Sequence, residues 1–264
     1  MQIRVLMENS AASEALIAEH GLSLYIEANG QRILFDAGQT DAFAENAQKL
    51  GVDLSRVDLC VLSHGHYDHS GGLERFLELN DHAPIYMHEH ATLPHYNGTE
   101  KYIGISPALI GHRRIILTGD ALDLGSGLRL CTCNDLASGC PASARGMTVK
   151  LGDAFLQDSF DHEQYLIIEE GGRRIVISGC SHKGILNIVK WLEPDVLVGG
   201  FHFVKLDPLG ADRDFLEDAA RQLLERDCVY YTGHCTGEAA LSFLKERMGD
   251  RLHAIPTGSE IHME

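Results

Sequence analysis

Within six residues, His64, His66, Asp68 and His69 bring together four side chains of metal-ligating type. In an extended segment residues two apart face the same way, so His64 and His66 can present imidazole nitrogens to one ion. Asp68 and His69, one turn further on, then face the other side and can hold a second. Four such polar groups beside an apolar strand would be costly to bury unless something satisfies them, and a metal ion does. Three more histidines end apolar runs: Val176-Ile177-Ser178 leads to His182, Leu197-Val198 to His202, and Tyr230-Tyr231 to His234. Ligands of α/β sheets sit beyond the carboxyl ends of strands, so these four ends can converge on one site.

The elements that must position these residues are legible. Leu22–Ile26 and Arg32–Phe35 flank Asn29-Gly30, and Tyr165–Ile168 and Arg174–Ile177 flank Gly171-Gly172; both patterns predict β-hairpins. Val57–Leu62 reads as a strand and Gly72–Leu79 as a helix. Residues 185–192 carry apolar side chains at helical spacing and stop before Pro194, with a strand over 195–198. A longer helix over about 211–226, a strand over 228–231 and a helix from near Gly237 complete the second half. Residues 91–145, rich in Gly, Pro and Ser, read as long irregular loops that would cover a site and select its substrate. The halves are two β-rich, helix-flanked modules of similar plan, best read as one domain over residues 1–264.

Composition narrows the partners. The chain has 264 residues, 15 histidines and a net charge of -16. That charge repels phosphate backbones, and no basic run exceeds the pairs Arg113-Arg114 and Arg173-Arg174, which excludes nucleic acid as a partner. No apolar run approaches the roughly 18 residues of a membrane span, and the first eight residues do not form a secretory signal. Seven cysteines, an odd number, fit reduced thiols and a cytoplasmic location. The oligomeric state is not encoded in any pattern here.

His64-x-His66-x-Asp68-His69 after an apolar strand resembles the signature of the metallo-β-lactamase superfamily, whose fold is a four-layer αββα sandwich of the α/β class. Glu19–Leu24, Leu34–Gln39, Leu62–Gly72, Ser178–His182, Gly199–His202 and Tyr231–Gly237 extend the likeness. Together they resemble the subfamily similar to 7,8-dihydropterin-6-methyl-4-(β-D-ribofuranosyl)-aminobenzene-5'-phosphate synthase. The resemblance implies that His64 and His66 serve a first ion, Asp68 and His69 a second, and that His234 is a second-site ligand. It departs where most members carry a bridging aspartate: here the strand ends in Gly179-Cys180-Ser181-His182. His182 is favoured as the third ligand of the first ion, with His162 as the alternative. One or two divalent ions are implied, zinc foremost, with manganese or iron as alternatives.

The expected activity is metal-dependent hydrolysis, in which an activated water attacks an ester or phosphoester of a small polar or anionic substrate. His202 or Asp68 would move the proton. A condensing synthase is the alternative within the family, and a non-catalytic metal sensor the alternative of another class. A flavodiiron-like redox centre is disfavoured, because His66 stands where those enzymes place glutamate. Asp36 is expected to accept hydrogen bonds from a ligand imidazole or from backbone. His88 and His90 read as surface histidines, and Cys131, Cys133 and Cys140 as unpaired thiols lacking a fourth zinc ligand.

Overall fold

The computed structural model describes residues 1–136 and 146–263. Two seven-stranded sheets carry the architecture. The first runs Glu260–His262, Gln2–Met7, Ser23–Ala28, Gln31–Phe35, Leu59–Val61, Ile85–His88 and Ile115–Thr118. The second runs Leu252–Ala254, Val229–Thr232, Val196–Val198, Arg173–Ile177, Tyr165–Glu170, Leu128–Cys131 and Ala121–Gly125. In each, antiparallel hairpins on one side give way to parallel strands on the other.

Strand periodicity sorts side chains into layers. Leu59 and Val61 face a core shared by both sheets, while Cys60 between them faces the helices over the first sheet. Likewise Ile175, Ile177, Val196 and Val198 enter the shared core, and Val176 and Leu197 turn to the second helical layer. Helices Ala42–Lys49 and Leu73–Leu79 cover the first sheet; Ile185–Leu192, Arg213–Leu224 and Glu238–Met248 cover the second. The result is the expected αββα sandwich. Among the described residues no helix is long and apolar enough to cross a membrane.

Both hairpins form as the sequence predicts. Asn29 and Gly30 adopt φ of 48° and 76°, and Gly171 and Gly172 φ of 61° and 77°, the left-handed pair that a two-residue turn requires. The reading of residues 91–145 as irregular loops is wrong for much of that stretch. Strands Ile115–Thr118 and Ala121–Gly125 form the outer edges of the two sheets, and Leu128–Cys131 pairs inside the second. Strands His95–Asn97 and Lys101–Tyr102 join Met147–Leu151 and Ala154–Gln157 in a separate four-stranded sheet. These strands span two to five residues, too short for a periodic signal, and the edge strand Ala121–Gly125 leaves alternate side chains exposed.

Candidate metal centre

Sequence places each ligand-type residue just past a strand, and the parallel strands set these ends side by side. His64 and His66 follow Leu59–Val61, and His66 is extended (φ -104°, ψ 148°) before the short helix Tyr67–Ser70. That helix turns Asp68 and His69 to the other side. His182 follows Arg173–Ile177, His202 follows Val196–Val198, and His234 follows Val229–Thr232. Gly179 lies where an added Cβ would collide with the Ser63 hydroxyl, so glycine is needed for the two sheets' strand ends to meet.

The expected residues converge. His64 Nε2 lies 3.2 Å from His182 Nε2, and His69 Nε2 lies 3.2 Å from His234 Nε2. Asp68 Oδ2 is 3.4 Å from His234 Nε2 and 3.8 Å from His69 Nε2. His64, His66, His69, His182 and His234 are buried. His202 stands 4.4 Å, ring to ring, from His182 and lines the pocket above, as a substrate-facing or proton-moving group would. The pocket is about 220 Å³ and is walled also by His20, Tyr67, Asp68, Asn97, Lys101, Met147 and Lys205.

The donor set fits a cation. Asp36 is fully buried and accepts from the Ser63 N–H (2.7 Å), the Ser63 hydroxyl (2.7 Å) and His69 Nδ1 (2.6 Å), the supporting role the sequence suggested. The Ser63 hydroxyl, having given its proton to Asp36, accepts from His64 Nδ1 at 2.8 Å. His234 Nδ1 donates to Asn9 Oδ1 at 2.9 Å. Three imidazoles therefore keep their protons on Nδ1 and aim Nε2 lone pairs inward, the tautomer in which outer hydrogen bonds prepare histidine for a metal. Lone pairs 3.2 Å apart repel unless a positive charge lies between them. His66 Nε2, buried with no hydrogen-bond partner among the described residues, has the same need.

Electrostatics agree for the first-ion histidines, while a protonated His69 would itself supply the positive charge between its Nε2 and that of His234. Burial, reinforced by neighbouring imidazoles, pushes His64 and His182 well below the ordinary histidine range. Burial does the same to His66. His69 goes the other way, up to about 9: burial opposes the proton, but Asp36 and Asp68 outweigh it. Burial also opposes charge on Asp68, yet His69, His20 and His234 hold its carboxyl well below the usual range.

His162 and His182 stand in different surroundings. His162 Nδ1 accepts the Gly65 N–H at 2.9 Å and its Nε2 faces Asp158 at 3.3 Å, so both nitrogens are engaged. His182 has no such commitment at Nε2. The two readings of surface histidines divide: His90 is exposed, whereas His88 is buried and accepts the His90 N–H through Nδ1. His88 is the last residue of the strand Ile85–His88, and that is why it stays inside. Cys131 and Cys133 are free thiols with sulfurs 3.9 Å apart; Cys140 lies outside the described residues.

Several contributors were given no role from the sequence. Cys180 Sγ lies 3.2 Å from His69 Nε2, placing sulfur where a carboxylate was sought. The imidazole of His20, half exposed at the rim, meets Asp68 Oδ2 at 3.2 Å. His95, Asp158 and Glu163 are buried around the centre. The sequence marks Cys180 by its place at the missing carboxylate and His20 by the Glu19–Leu24 likeness, but assigns neither a role; nothing local marks His95, Asp158 or Glu163.

Comparison with known proteins agrees with this geometry. Residues 17–200 match the model of the metallo-beta-lactamase superfamily, and the chain belongs to that superfamily, whose fold typically binds divalent metals. It is similar to the 7,8-dihydropterin-6-methyl-4-(beta-D-ribofuranosyl)-aminobenzene-5'-phosphate synthase of Methanocaldococcus jannaschii, at 31% identity over 90% of this chain and 88% of the relative. The uncharacterized protein MJ0448 of the same organism is also 31% identical, over 92% of this chain and 94% of its own. Among solved structures, Tm1679, a metal-dependent hydrolase of the beta-lactamase superfamily, superposes with a TM-score of 0.85 at 28% identity, covering 100% of this chain and 99% of that one.

Proposed function

We propose that this protein is a metal-dependent hydrolase acting on an ester or phosphoester of a small anionic substrate. The observation that carries the reading is the set of inward-aimed, metal-ready imidazoles lying at the floor of an open pocket. A structural site would fill its coordination sphere with protein ligands and would not face a pocket. His64, His66 and His182 would hold one ion, and Asp68, His69 and His234 a second, with Cys180 beside them. A divalent ion there supplies a water activated toward pKa ~7 and polarises the substrate oxygen.

The chain's own residues do the rest. His202, on the pocket wall, is placed to pass a proton to the leaving group. Lys101 and Lys205 bring positive charge to the rim of a chain whose net charge is -16, which suits an anionic substrate. A pocket of about 220 Å³ admits a small molecule and not a duplex. A cytoplasmic location is part of this proposal and rests on the unpaired thiols.

The test is elemental analysis of purified protein together with a panel of phosphomonoesters, phosphodiesters and lactones. Bound transition metal, and turnover that disappears in His66→Ala, is the expected result. Protein that carries none and gains none from added zinc, manganese or iron would overturn it. The similarity to a protein named as a synthase favours one second reading, a condensing reaction. Aminobenzoate-dependent release of pyrophosphate would identify it.

A further inference from the structure

Residues 158–163 connect Ala154–Gln157 to Tyr165–Glu170 and contribute none of the side chains assigned above to an ion. They nevertheless meet the first-ion ligands at three points. His162 Nδ1 accepts the N–H of Gly65, the residue between His64 and His66, at 2.9 Å. The Phe160 ring lies flat on the His182 ring, 4.4 Å between centroids and 10° between planes. Glu163 Oε1 accepts the His182 N–H at 2.7 Å and its Oε2 the Lys183 N–H at 3.0 Å.

Asp158 ties these contacts together. Its Oδ1 accepts the Phe160 N–H at 2.8 Å, holding Phe160 at φ 59°, a conformation costly for a bulky side chain. Its Oδ2 accepts from His162 Nε2 at 3.3 Å and from His95 Nδ1 at 2.7 Å. His95 Nε2 faces the His90 carbonyl at 3.1 Å, so the ring is anchored at both nitrogens. With Nε2 given to Asp158, His162 must offer Nδ1 as the acceptor that Gly65 finds. On its other side Gly65 is wedged against Ala91, where even a Cβ would come within 2.5 Å of the Ala91 carbonyl. Asp158, Phe160, His162 and Glu163 are all buried. Ligand-type atoms of His66, His95, Asp158 and His162 do lie within 4.8 Å of one another, but hydrogen bonds already fill the last three, so this is a brace and not another ion site.

We propose that the 158–163 loop is a positioning frame dedicated to the first ion, with His162 aiming the His64–His66 segment and Phe160 aiming His182. The inference rests on the metal-centre reading above. The second-ion ligands hang from other groups: His69 from Asp36 and His234 from Asn9. The frame therefore acts on one ion and spares the other, which a general stabilising role would not do.

The test measures metal binding apart from turnover. Cobalt(II) is titrated into metal-free protein while its absorption bands are followed, and zinc affinities are taken by chelator competition. In His162→Ala the first ion's affinity should fall about 10–100-fold with altered cobalt bands, the usual effect of removing an outer hydrogen bond, while the second stays within about twofold. His162→Gln, which offers an acceptor to Gly65 and a donor to Asp158, should restore most of the loss. Phe160→Leu, which keeps bulk but loses the flat stack, should weaken the first ion as well, and it carries the test should His162→Ala fail to fold. Unchanged affinity and bands in His162→Ala, equal weakening of both ions, or no rescue by glutamine would each overturn the frame. Wild-type protein that binds no cobalt or zinc would instead overturn the metal-centre reading itself.

Discussion

Replacing Asp36 by asparagine changes one atom's chemistry at the back of the centre, and its cost follows from the hydrogen bonds. Asp36 Oδ1 faces the Ser63 N–H, and Oδ2 faces the Ser63 hydroxyl and His69 Nδ1. An amide has only one acceptor end. Whichever way it is turned, its NH₂ meets a donor, either the Ser63 N–H or the His69 N–H. A buried donor left without a partner costs about 1–3 kcal/mol. To this is added the lost support for the His69 proton. His69 is raised from 6.5 to about 9 in the folded protein, a gap equivalent to about 3 kcal/mol, which Asp36 shares with Asp68. A raised folded value means this contribution is fully present below pH 6.5 and disappears as pH climbs through 9. Asp36→Asn should therefore cost about 3–5 kcal/mol at pH 6 in metal-free protein, in the range seen when one member of a buried pair is removed. Near pH 10 only the hydrogen-bond part should remain. Urea denaturation of wild type and variant at the two pH values measures both numbers. A loss under about 1 kcal/mol, or an equal loss at both pH values, would refute the reasoning.

Three further outcomes are expected. Chelating the metal should lower the thermal midpoint and re-adding it should restore the midpoint, since an ion present at a thousand times its dissociation constant contributes about 4 kcal/mol; differential scanning calorimetry that sees no change would count against a bound ion. Metal-free protein should lose stability as pH falls below 6.5, because the folded state resists protonation of His64, His66, His182 and His162 while the unfolded chain accepts it. His162 alone, depressed to about 4 by burial and by His95, accounts for about 3 kcal/mol across that interval, and His69, already protonated below 6.5, does not offset the slope; a flat profile from pH 7 to 4.5 would contradict this. Lys101→Ala with Lys205→Ala should raise KM for an anionic substrate several-fold with little change in kcat, and a kcat loss without a KM change would show that the lysines do not grip the anion.

Much of this centre can be read from the sequence because its ligands lie where topology puts them. A parallel strand followed by a helix delivers the residue just past the strand to one edge of the sheet, so His64, His182, His202 and His234 were visible as strand endings. The hairpins were visible because Asn29-Gly30 and Gly171-Gly172 occupy left-handed positions that few other residues tolerate. What was hidden has no local signature. Asp158, Phe160 and His95 reach the centre by tertiary contact from a loop and a three-residue strand, and no spacing links them to their partners. The strands between 91 and 131 are hard to read because each spans only two to five residues, too few for an alternating run such as that of Ala121–Gly125 to stand out from loop sequence.

The ligand set spans both halves of the sandwich, with His64 to His69 just past a strand of the first sheet and His182 and His234 just past strands of the second. During synthesis the chain emerges from its N-terminus, and domains fold as units. His64 and His66 leave the ribosome long before their partners: a first ion's set would wait for His182 and a second's for His234. A centre built this way would gain its full ligand set only once strands of both sheets have been made.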